Sequence, residues 1–277
     1  MKIGIVCYPT FGGSGVVATE LGKALADHGH EVHFITYSQP ARLDFFSENL
    51  FYHEVTVSKY PLFDYPPYEL ALASKLVDVV SYEQLDILHV HYAIPHAYAA
   101  FMAKQMLLEK GISIKVVTTL HGTDITLVGS HPTYKTAVEF SINNSDVVTA
   151  VSNSLKQTTN HLFKIKKEIQ VVYNFIDIEK YDKAENQECK RDALAKPNER
   201  ILTHISNFRP VKRVEDVIKI FYEVQKEIPS KLLMIGEGPD RAKAEILTKK
   251  LGITDNVFYL GNSTETVKIL CYTDLFL

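Results

Sequence analysis

The chain has 277 residues, of which 46% are hydrophobic, and a formal net charge of −3. This length favours two α/β domains over one, and the near-neutral charge argues against a nucleic-acid partner or a membrane-surface role. No apolar run approaches the roughly 18 residues of a membrane span, and the residues before Pro9 are too few for a secretory signal. Together with three widely spaced cysteines, these features predict a cytoplasmic protein in a reducing compartment.

The first predicted element is a strand that leads through a glycine turn into a helix. Residues 2–7 form an apolar run of strand length, and apolar residues recur at helical spacing from Val17. Gly12, Gly13 and Gly15 lie between them. These glycines either allow a tight connection or let an anion approach the free N–H groups of the helix start. Neither a Walker loop nor a dinucleotide fingerprint is present, which disfavours a nicotinamide cofactor.

Strand and helix patterns then alternate through the first half. Strands are predicted at 50–57, 86–91, 115–120, 146–151 and 168–173, and helices at 69–82 and 95–108. Ser152 or Ser154 is expected to cap one more helix. A charged segment with weak strand signal follows at 177–199, so we expect an N-terminal domain over 1–173 and a second domain over 174–277.

The second half repeats the alternation. Strands are predicted at 200–206, 231–235 and 256–260, and helices at 214–224, 240–251 and 264–271. Residues 274–277 resemble the start of a strand, from which we expect the second domain to be incomplete in this chain. The fold class is therefore predicted to be α/β, with two Rossmann-like domains that face each other across a cleft.

The strongest candidate for chemistry is the basic turn at 206–213. It lies where a predicted strand ends and a helix begins, so Arg209, Lys212 and Arg213 should gather near a helix N-terminus. Such cations can hold a diphosphate, whereas the alternative is a solvated basic loop. Because the chain has no Asp-x-Asp pair, fixed cations would replace a divalent ion, and we predict no metal and no cofactor.

Five residues near two strand ends form a competing candidate: His89, His91, His96, His121 and Asp124. His89 and His91 lie two residues apart on one strand face, and with His121 and Asp124 they could bind a metal in a hydrolase. The alternative is that His89 is a core residue. His91 and Tyr92 would then line the cleft, with the polar side chains of 121–124 pointing to the same place.

Five segments, in order, resemble the retaining glycosyltransferases of the two-Rossmann, GT-B type. They are the glycine turn, His121-Gly-Thr-Asp124, Tyr173-Asn-Phe-Ile-Asp177, Ser206 to Arg213 and Gly236-Glu-Gly-Pro239. Cys7-Tyr-Pro9, Tyr65-Pro-Pro-Tyr68 and the run from His89 to His96 are similar to the subgroup that makes glucosaminyl malate in bacillithiol biosynthesis. The resemblance spans essentially the whole chain.

The resemblance implies a reaction between UDP-N-acetylglucosamine and L-malate that gives an α-linked glucosaminyl malate and UDP. It implies that Arg209 and Lys212 bind the diphosphate and that Gly13 lies against the same group. His121 would contact the donor sugar. The resemblance favours front-face attack, with the leaving phosphate as the base.

Ser14, Tyr92 and Thr123 are expected on the acceptor side. Asn174 matches an inter-domain motif and would shape the floor of the cleft or cap a turn, and Ser206 is expected to bind substrate. The remaining alternatives are a relative with another acceptor and a non-catalytic nucleotide-sugar binder. The exposed aromatic residues at 60–68 could support a homo-oligomer.

Two departures from the family pattern affect these expectations. Many relatives have an arginine where this chain has Asn207, so Arg209 would have to supply that charge. The family's glutamate-rich segment would follow Leu277, so we expect this chain alone not to be a competent enzyme.

Overall fold

The structure is a computed structural model and describes residues 1–43, 47–58, 61–178, 191–263 and 265–277. Contacts divide it into two units, Met1–Phe175 and Ile176–Leu277, whereas the boundary predicted from the sequence lies between residues 173 and 174. Residues 179–190 of the predicted charged linker and Tyr60 of the aromatic loop lie outside the described residues.

The first unit is a parallel sheet with helices on both faces. Its strands are β1 Lys2–Val6, β2 Glu31–Thr36, β3 Leu50–Glu54, β4 Ile87–His91, β5 Lys115–Leu120, β6 Val147–Ala150 and β7 Ile169–Val171. Its helices are α1 Gly13–Asp27, α2 Tyr68–Glu83, α3 Tyr98–Glu109, α4 Pro132–Asn144 and α5 Asn153–Leu162. The strand order is β3-β2-β1-β4-β5-β6-β7. Because this order reverses direction between β1 and β4, the carboxyl ends of these two strands border the crevice where such sheets bind ligands.

The second unit has the same plan on a smaller scale. Its strands are β8 Arg200–Ile205, β9 Ser230–Ile235, β10 Val257–Gly261 and β11 Leu275–Phe276, and its helices are α6 Val214–Glu227, α7 Arg241–Lys250 and α8 Thr266–Tyr272. The parallel strands lie in the order β10-β9-β8-β11, so the order reverses at β8. Two Rossmann-like units confirm the fold class predicted from the sequence.

Buried apolar side chains hold helices against both faces of the first sheet. Leu72 and Leu76 of α2 pack with Leu88 on one face, and each fully buried leucine contributes about 2 kcal/mol. On the other face α1 lies so close that a Cβ on Gly22 would come within 2.3 Å of the Phe34 ring. Glycine at this position therefore sets the spacing between α1 and the sheet.

Two helices differ from the sequence prediction. No element was predicted over Pro132–Asn144, because its buried face has only Val138 and Ile142 as apolar residues beside the polar Ser141. The helix predicted from Pro95 instead begins at Tyr98, after a separate helical turn at Ala93–Ala97 that contains the non-helical Ile94.

Ser152 is confirmed as the cap of α5, since its hydroxyl accepts a hydrogen bond from the Leu155 N–H.

Among the described residues, no helix has the length and apolar character needed to cross a membrane. Cys271 is disulfide-bonded, a bond that the cysteine spacing did not predict. Cys7 is a buried thiol, and burial raises its pKa to about 12.

Three aspartates fasten the amino ends of the two sheets. Each lies just before a strand, and one of its carboxylate oxygens accepts a 2.8 Å hydrogen bond from a backbone N–H at the start of the neighbouring strand. The pairs are Asp86 with Lys2, Asp146 with Val116, and Asp274 with Ile201. The same type of hydrogen bond thus fixes the register in three pairs of neighbouring strands.

Replacing Asp146 with alanine is expected to lower the free energy of unfolding by about 2 kcal/mol, because a charge-assisted hydrogen bond is lost. Partial burial raises the pKa of Asp146, but the Lys104 ammonium at 2.6 Å and the Val116 N–H hold it below the ordinary value of 3.8. The stabilisation is therefore present above pH ~4 and lost as the pH falls through the lowered pKa.

Urea unfolding of the wild type and Asp146→Ala from pH 7 to pH 3 measures this difference. Asp78→Ala, an exposed position on α2, is the control and should unfold like the wild type. A difference between wild type and Asp146→Ala that stays constant with pH would contradict the role assigned to the carboxylate.

Candidate active site

The glycine turn after β1 is the N-terminus of α1. Gly12 is the N-cap and the helix starts at Gly13, with no acidic residue in its first turn. In the described part of the chain, no acceptor binds the backbone N–H groups of Gly13, Ser14 and Gly15. The turn therefore presents free donors together with the positive end of the helix dipole.

Two glycines of this turn have different roles. A Cβ on Gly15 would lie 2.4 Å from the Tyr8 carbonyl oxygen, so only glycine lets the two backbone segments approach. A Cβ on Gly13 would meet no atom within 4 Å. The space beside Gly13 is thus open to a group that binds the N–H donors.

Three of the predicted site residues come together at the carboxyl ends of β1, β4 and β5. The Ser14 and Tyr92 hydroxyls share a 2.9 Å hydrogen bond, and the Tyr92 and His121 ring centroids are 5.4 Å apart. Tyr92 has a φ of 88°, a conformation that side chains rarely adopt and that is concentrated at functional sites.

The histidines of these strands form a buried row of neutral rings. His91 Nδ1 lies 2.8 Å from His121 Nε2, and His89 Nε2 lies 2.7 Å from Thr119 Oγ1. Burial lowers the pKa of His91 well below its ordinary value, and it lowers those of His89 and His121 to about 4. At neutral pH His121 is therefore an uncharged hydrogen-bonding group.

The carboxylate of Asp124 is hydrogen-bonded to the backbone. It accepts hydrogen bonds from the N–H groups of Ala93, His121 and Gly122 at 3.0–3.1 Å. Burial raises the pKa of Asp124 above its ordinary value, although these donors oppose the shift. No three of the four side chains proposed for a hydrolase form a metal-binding group within the described residues, so that interpretation has no supporting geometry.

Two more residues belong to this cluster: Tyr8, which was not predicted as a site residue, and His96, which was part of the competing histidine candidate. Tyr8 lies 5.2 Å from Tyr92 and 4.6 Å from His96 between ring centroids, and burial raises its pKa to about 12. His96 Nδ1 donates to the His91 carbonyl oxygen at 2.6 Å, and its buried Nε2 has no partner among the described groups. The signal for Tyr8 was its position directly between β1 and the glycine turn.

Thr123 and Asn174 are the remaining predicted site residues of the first unit. Thr123 is exposed in the turn after β5. Asn174 lines an apolar groove of about 340 Å³, together with His89 and other residues of the first unit.

In the second unit, backbone contacts fix the basic turn after β8. The Phe208 N–H donates to the Glu237 carbonyl oxygen at 3.0 Å, and the Phe208 carbonyl oxygen accepts from the Asp240 N–H at 2.9 Å. A Cβ on Gly236 would lie 1.8 Å from the Ser206 carbonyl oxygen, and one on Gly238 would lie 2.5 Å from that of Phe208. The two glycines therefore hold the turn after β9 against the basic turn.

The three cations of the basic turn are not equivalent. Arg209 and Lys212 are exposed, and no carboxylate of the described residues lies within ion-pair distance of either. Arg213, in contrast, has a φ of 49° and binds the Asp216 carboxylate at 2.6 Å. Only two of the three predicted cations are thus available to an anion.

The Ser206 hydroxyl is hydrogen-bonded to His204. His204 Nδ1 donates to the Leu277 carbonyl oxygen at 2.9 Å, so its Nε2 accepts the Ser206 proton at 2.8 Å. Burial lowers the pKa of His204, and the Lys212 charge lowers it further. Ser206 can therefore offer a ligand its oxygen lone pair but not its proton.

Comparison with known proteins gives matches over both units. The family model Glycosyltransferase Family 4 matches residues 11–180, and Glycosyl transferases group 1 matches residues 185–277. The N-acetyl-alpha-D-glucosaminyl L-malate synthase of Bacillus anthracis is 53% identical over 277 residues, which is 100% of this chain and 72% of that protein. An uncharacterised glycosyltransferase of Methanocaldococcus jannaschii is 27% identical over 63% of this chain and 46% of its own length.

Solved structures share the fold at low sequence identity. A glycosyltransferase from Rickettsia africae has a TM-score of 0.72 and 18% identity over 99% of this chain and 72% of its own. Anabaena HepE, in complex with UDP and glucose, has a TM-score of 0.71 and 17% identity over 100% of this chain and 73% of its own. At these identities the likeness supports the fold alone.

The buried histidine row predicts a loss of stability in mild acid. Each of these histidines binds its proton more weakly in the folded state, so the unfolded state takes up protons first as the pH falls below 6.5. The free energy of unfolding should decline by up to about 1.4 kcal/mol per pH unit for each histidine, until the pH reaches the folded pKa.

Urea unfolding at pH values from 7.5 to 4.5 measures this decline. His89→Gln, which can keep the hydrogen bond to Thr119, should reduce the slope of stability against pH, whereas the exposed His28→Gln should not. Equal slopes in His89→Gln and the wild type would show that His89 does not contribute.

Proposed function

The chain belongs to the glycosyltransferases, and on that premise we propose that it transfers N-acetylglucosamine from UDP-N-acetylglucosamine to L-malate with retention at the anomeric carbon. The observation that carries this proposal is the 53% identity, over all 277 residues, to a protein named for that product. The reaction would be the first step of bacillithiol biosynthesis. A cytoplasmic location and a homo-oligomeric state stay predictions from the sequence.

The second unit would bind the donor through Arg209 and Lys212. As the bond from the sugar to the diphosphate breaks, negative charge grows on the leaving UDP. Cations that are already in place stabilise this transition state more than the ground state. The turn that carries both side chains is fixed by the close approach at Gly236, which supports such preorganisation.

The first unit would supply the acceptor and sugar contacts. Malate is a dianion at neutral pH, so its pocket needs cations or N–H donors. The free N–H group of Ser14 and the hydroxyls of Ser14 and Tyr92 support this assignment, whereas the N–H group of Gly13 would lie against the diphosphate. His121, a neutral ring beside Tyr92, would hydrogen-bond the sugar, and Thr123 would extend the acceptor side.

Retention would follow front-face attack, with the leaving phosphate taking the proton of the malate hydroxyl. A covalent route needs a carboxylate nucleophile next to the sugar. The carboxylate of this cluster, Asp124, is buried and is bound by three backbone N–H groups. Because these hydrogen bonds occupy the Asp124 carboxylate, they support the front-face route. A trapped glycosyl-enzyme adduct would overturn that route.

Product analysis with purified protein that carries this chain tests the proposed reaction. UDP-N-acetylglucosamine is supplied with L-malate, D-malate, succinate or an inositol phosphate, and UDP release and the anomeric configuration of the product are measured. We expect α-linked product from L-malate. Transfer to another acceptor with none to L-malate would reject the proposed acceptor, and donor binding without transfer would indicate a non-catalytic binder.

Replacing either free cation should slow the transfer. Arg209→Ala and Lys212→Ala are each expected to reduce kcat/KM for the UDP-sugar by about 100-fold, because charge stabilisation of the leaving group is lost. Lys249→Ala removes an exposed cation from α7 of the same unit and should leave kcat/KM unchanged. Unchanged kinetics in both Arg209→Ala and Lys212→Ala would contradict their role.

A further inference from the structure

A second polar cluster lies where strands β2 and β3 meet helix α2. It consists of His33, His53 and Glu83, one from each element. Among the described residues, these three alone form a group of possible metal ligands, with the ligand atoms all within 4.8 Å of one another. None of them belongs to the transferase site described above.

The two strands place the histidine rings side by side. His33 is paired with Phe51 and Ile35 with His53, so the two histidines are diagonal neighbours on one face of the sheet. His33 Nδ1 lies 2.9 Å from His53 Nε2. The stacked Phe51 ring, 4.8 Å from His33 between centroids, holds the His33 ring in position.

A carboxylate behind His33 sets its tautomer. Glu31 Oε1 accepts a hydrogen bond from His33 Nε2 at 3.1 Å, which leaves the lone pair of His33 Nδ1 directed at the cluster. Histidines that bind metals commonly donate their second N–H to a carboxylate in this way. His33 therefore already has the tautomer and the ring orientation of a metal-binding histidine.

We propose that His33 Nδ1, His53 Nε2 and a Glu83 carboxylate oxygen bind a divalent transition metal ion of the zinc type. Two imidazoles and one carboxylate are a donor set that suits Zn²⁺, and water would complete a tetrahedral site. The ion replaces the proton shared between the rings, so the ring proton of His53 must move to Nδ1. This site departs from the sequence-based prediction of no metal.

Small movements complete the geometry. Zinc bonds of about 2.0–2.1 Å place tetrahedral ligand atoms about 3.4 Å apart. The two histidine nitrogens, now 2.9 Å apart, have to separate slightly. Glu83 is only half-buried at the end of α2, so its side chain has the freedom to approach.

Charges of both signs surround the cluster. Glu83 and Glu31 carry negative charges, and Lys2 offsets that of Glu31 through a 3.0 Å ion pair. Burial lowers the pKa of His53, and the neighbouring His33 and Lys75 lower it further, whereas Glu83 opposes the shift. Bound metal would join the edge strand β3 to α2 and act as a structural clamp within the first unit.

Titration of metal-free protein with Zn²⁺ alone tests the site. We expect one Zn²⁺ per chain by calorimetry and a rise in Tm of about 5 °C at a free Zn²⁺ concentration 100 times the Kd. Co²⁺ in place of Zn²⁺ should give the visible absorption of a tetrahedral N/O site. No stoichiometric binding, or octahedral Co²⁺ only, would overturn the proposal.

Matched variants locate the bound ion. His53→Gln and Glu83→Gln should each weaken Zn²⁺ binding at least tenfold, whereas His28→Gln, on the exposed end of α1, should bind as the wild type does. If His53→Gln does not fold, Glu83→Gln decides, because its side chain is half-exposed. Full affinity in a folded His53→Gln or Glu83→Gln would place the ion elsewhere and reject the site.

Discussion

The carboxylate of Asp124 holds the functional edge of the first sheet together. It is buried and is surrounded by backbone N–H groups from two turns, one after β4 and one after β5. Because Tyr92 and His121 lie within or beside these turns, their positions depend on this one ring of hydrogen bonds. The N–H donors also stabilise a charge that would otherwise be costly to bury.

In the second unit, the corresponding turn, the basic turn, is held by backbone contacts. These contacts lie at Gly236 and Gly238, where any side chain would collide with the neighbouring strand end. Arg209 and Lys212 then project from a frame that does not need to rearrange. In both units, rigid turns at the carboxyl ends of parallel strands carry the candidate site residues.

The sequence predicted the features that depend on period and on strand order. Alternating strands and helices, the glycine turn and the convergence of Tyr92 with His121 follow from those patterns. The hydrogen bonds and ion pairs of individual side chains could not be predicted in this way. The pairing of Arg213 with Asp216 depends on a left-handed residue, and the use of Asp124 by backbone donors depends on the shape of two turns. Helix α4 was not predicted because the polar Ser141 lies on its buried face.

The aspartates that precede β4, β6 and β11 separate two tasks within each sheet. They fix the alignment of neighbouring strands from the amino ends, whereas the loops that carry the candidate site residues leave from the opposite ends. Loops can therefore change in length and chemistry without shifting the strands beneath them. This separation allows the loops of one fold to change, and with them the ligand that is bound, while the strands keep their positions.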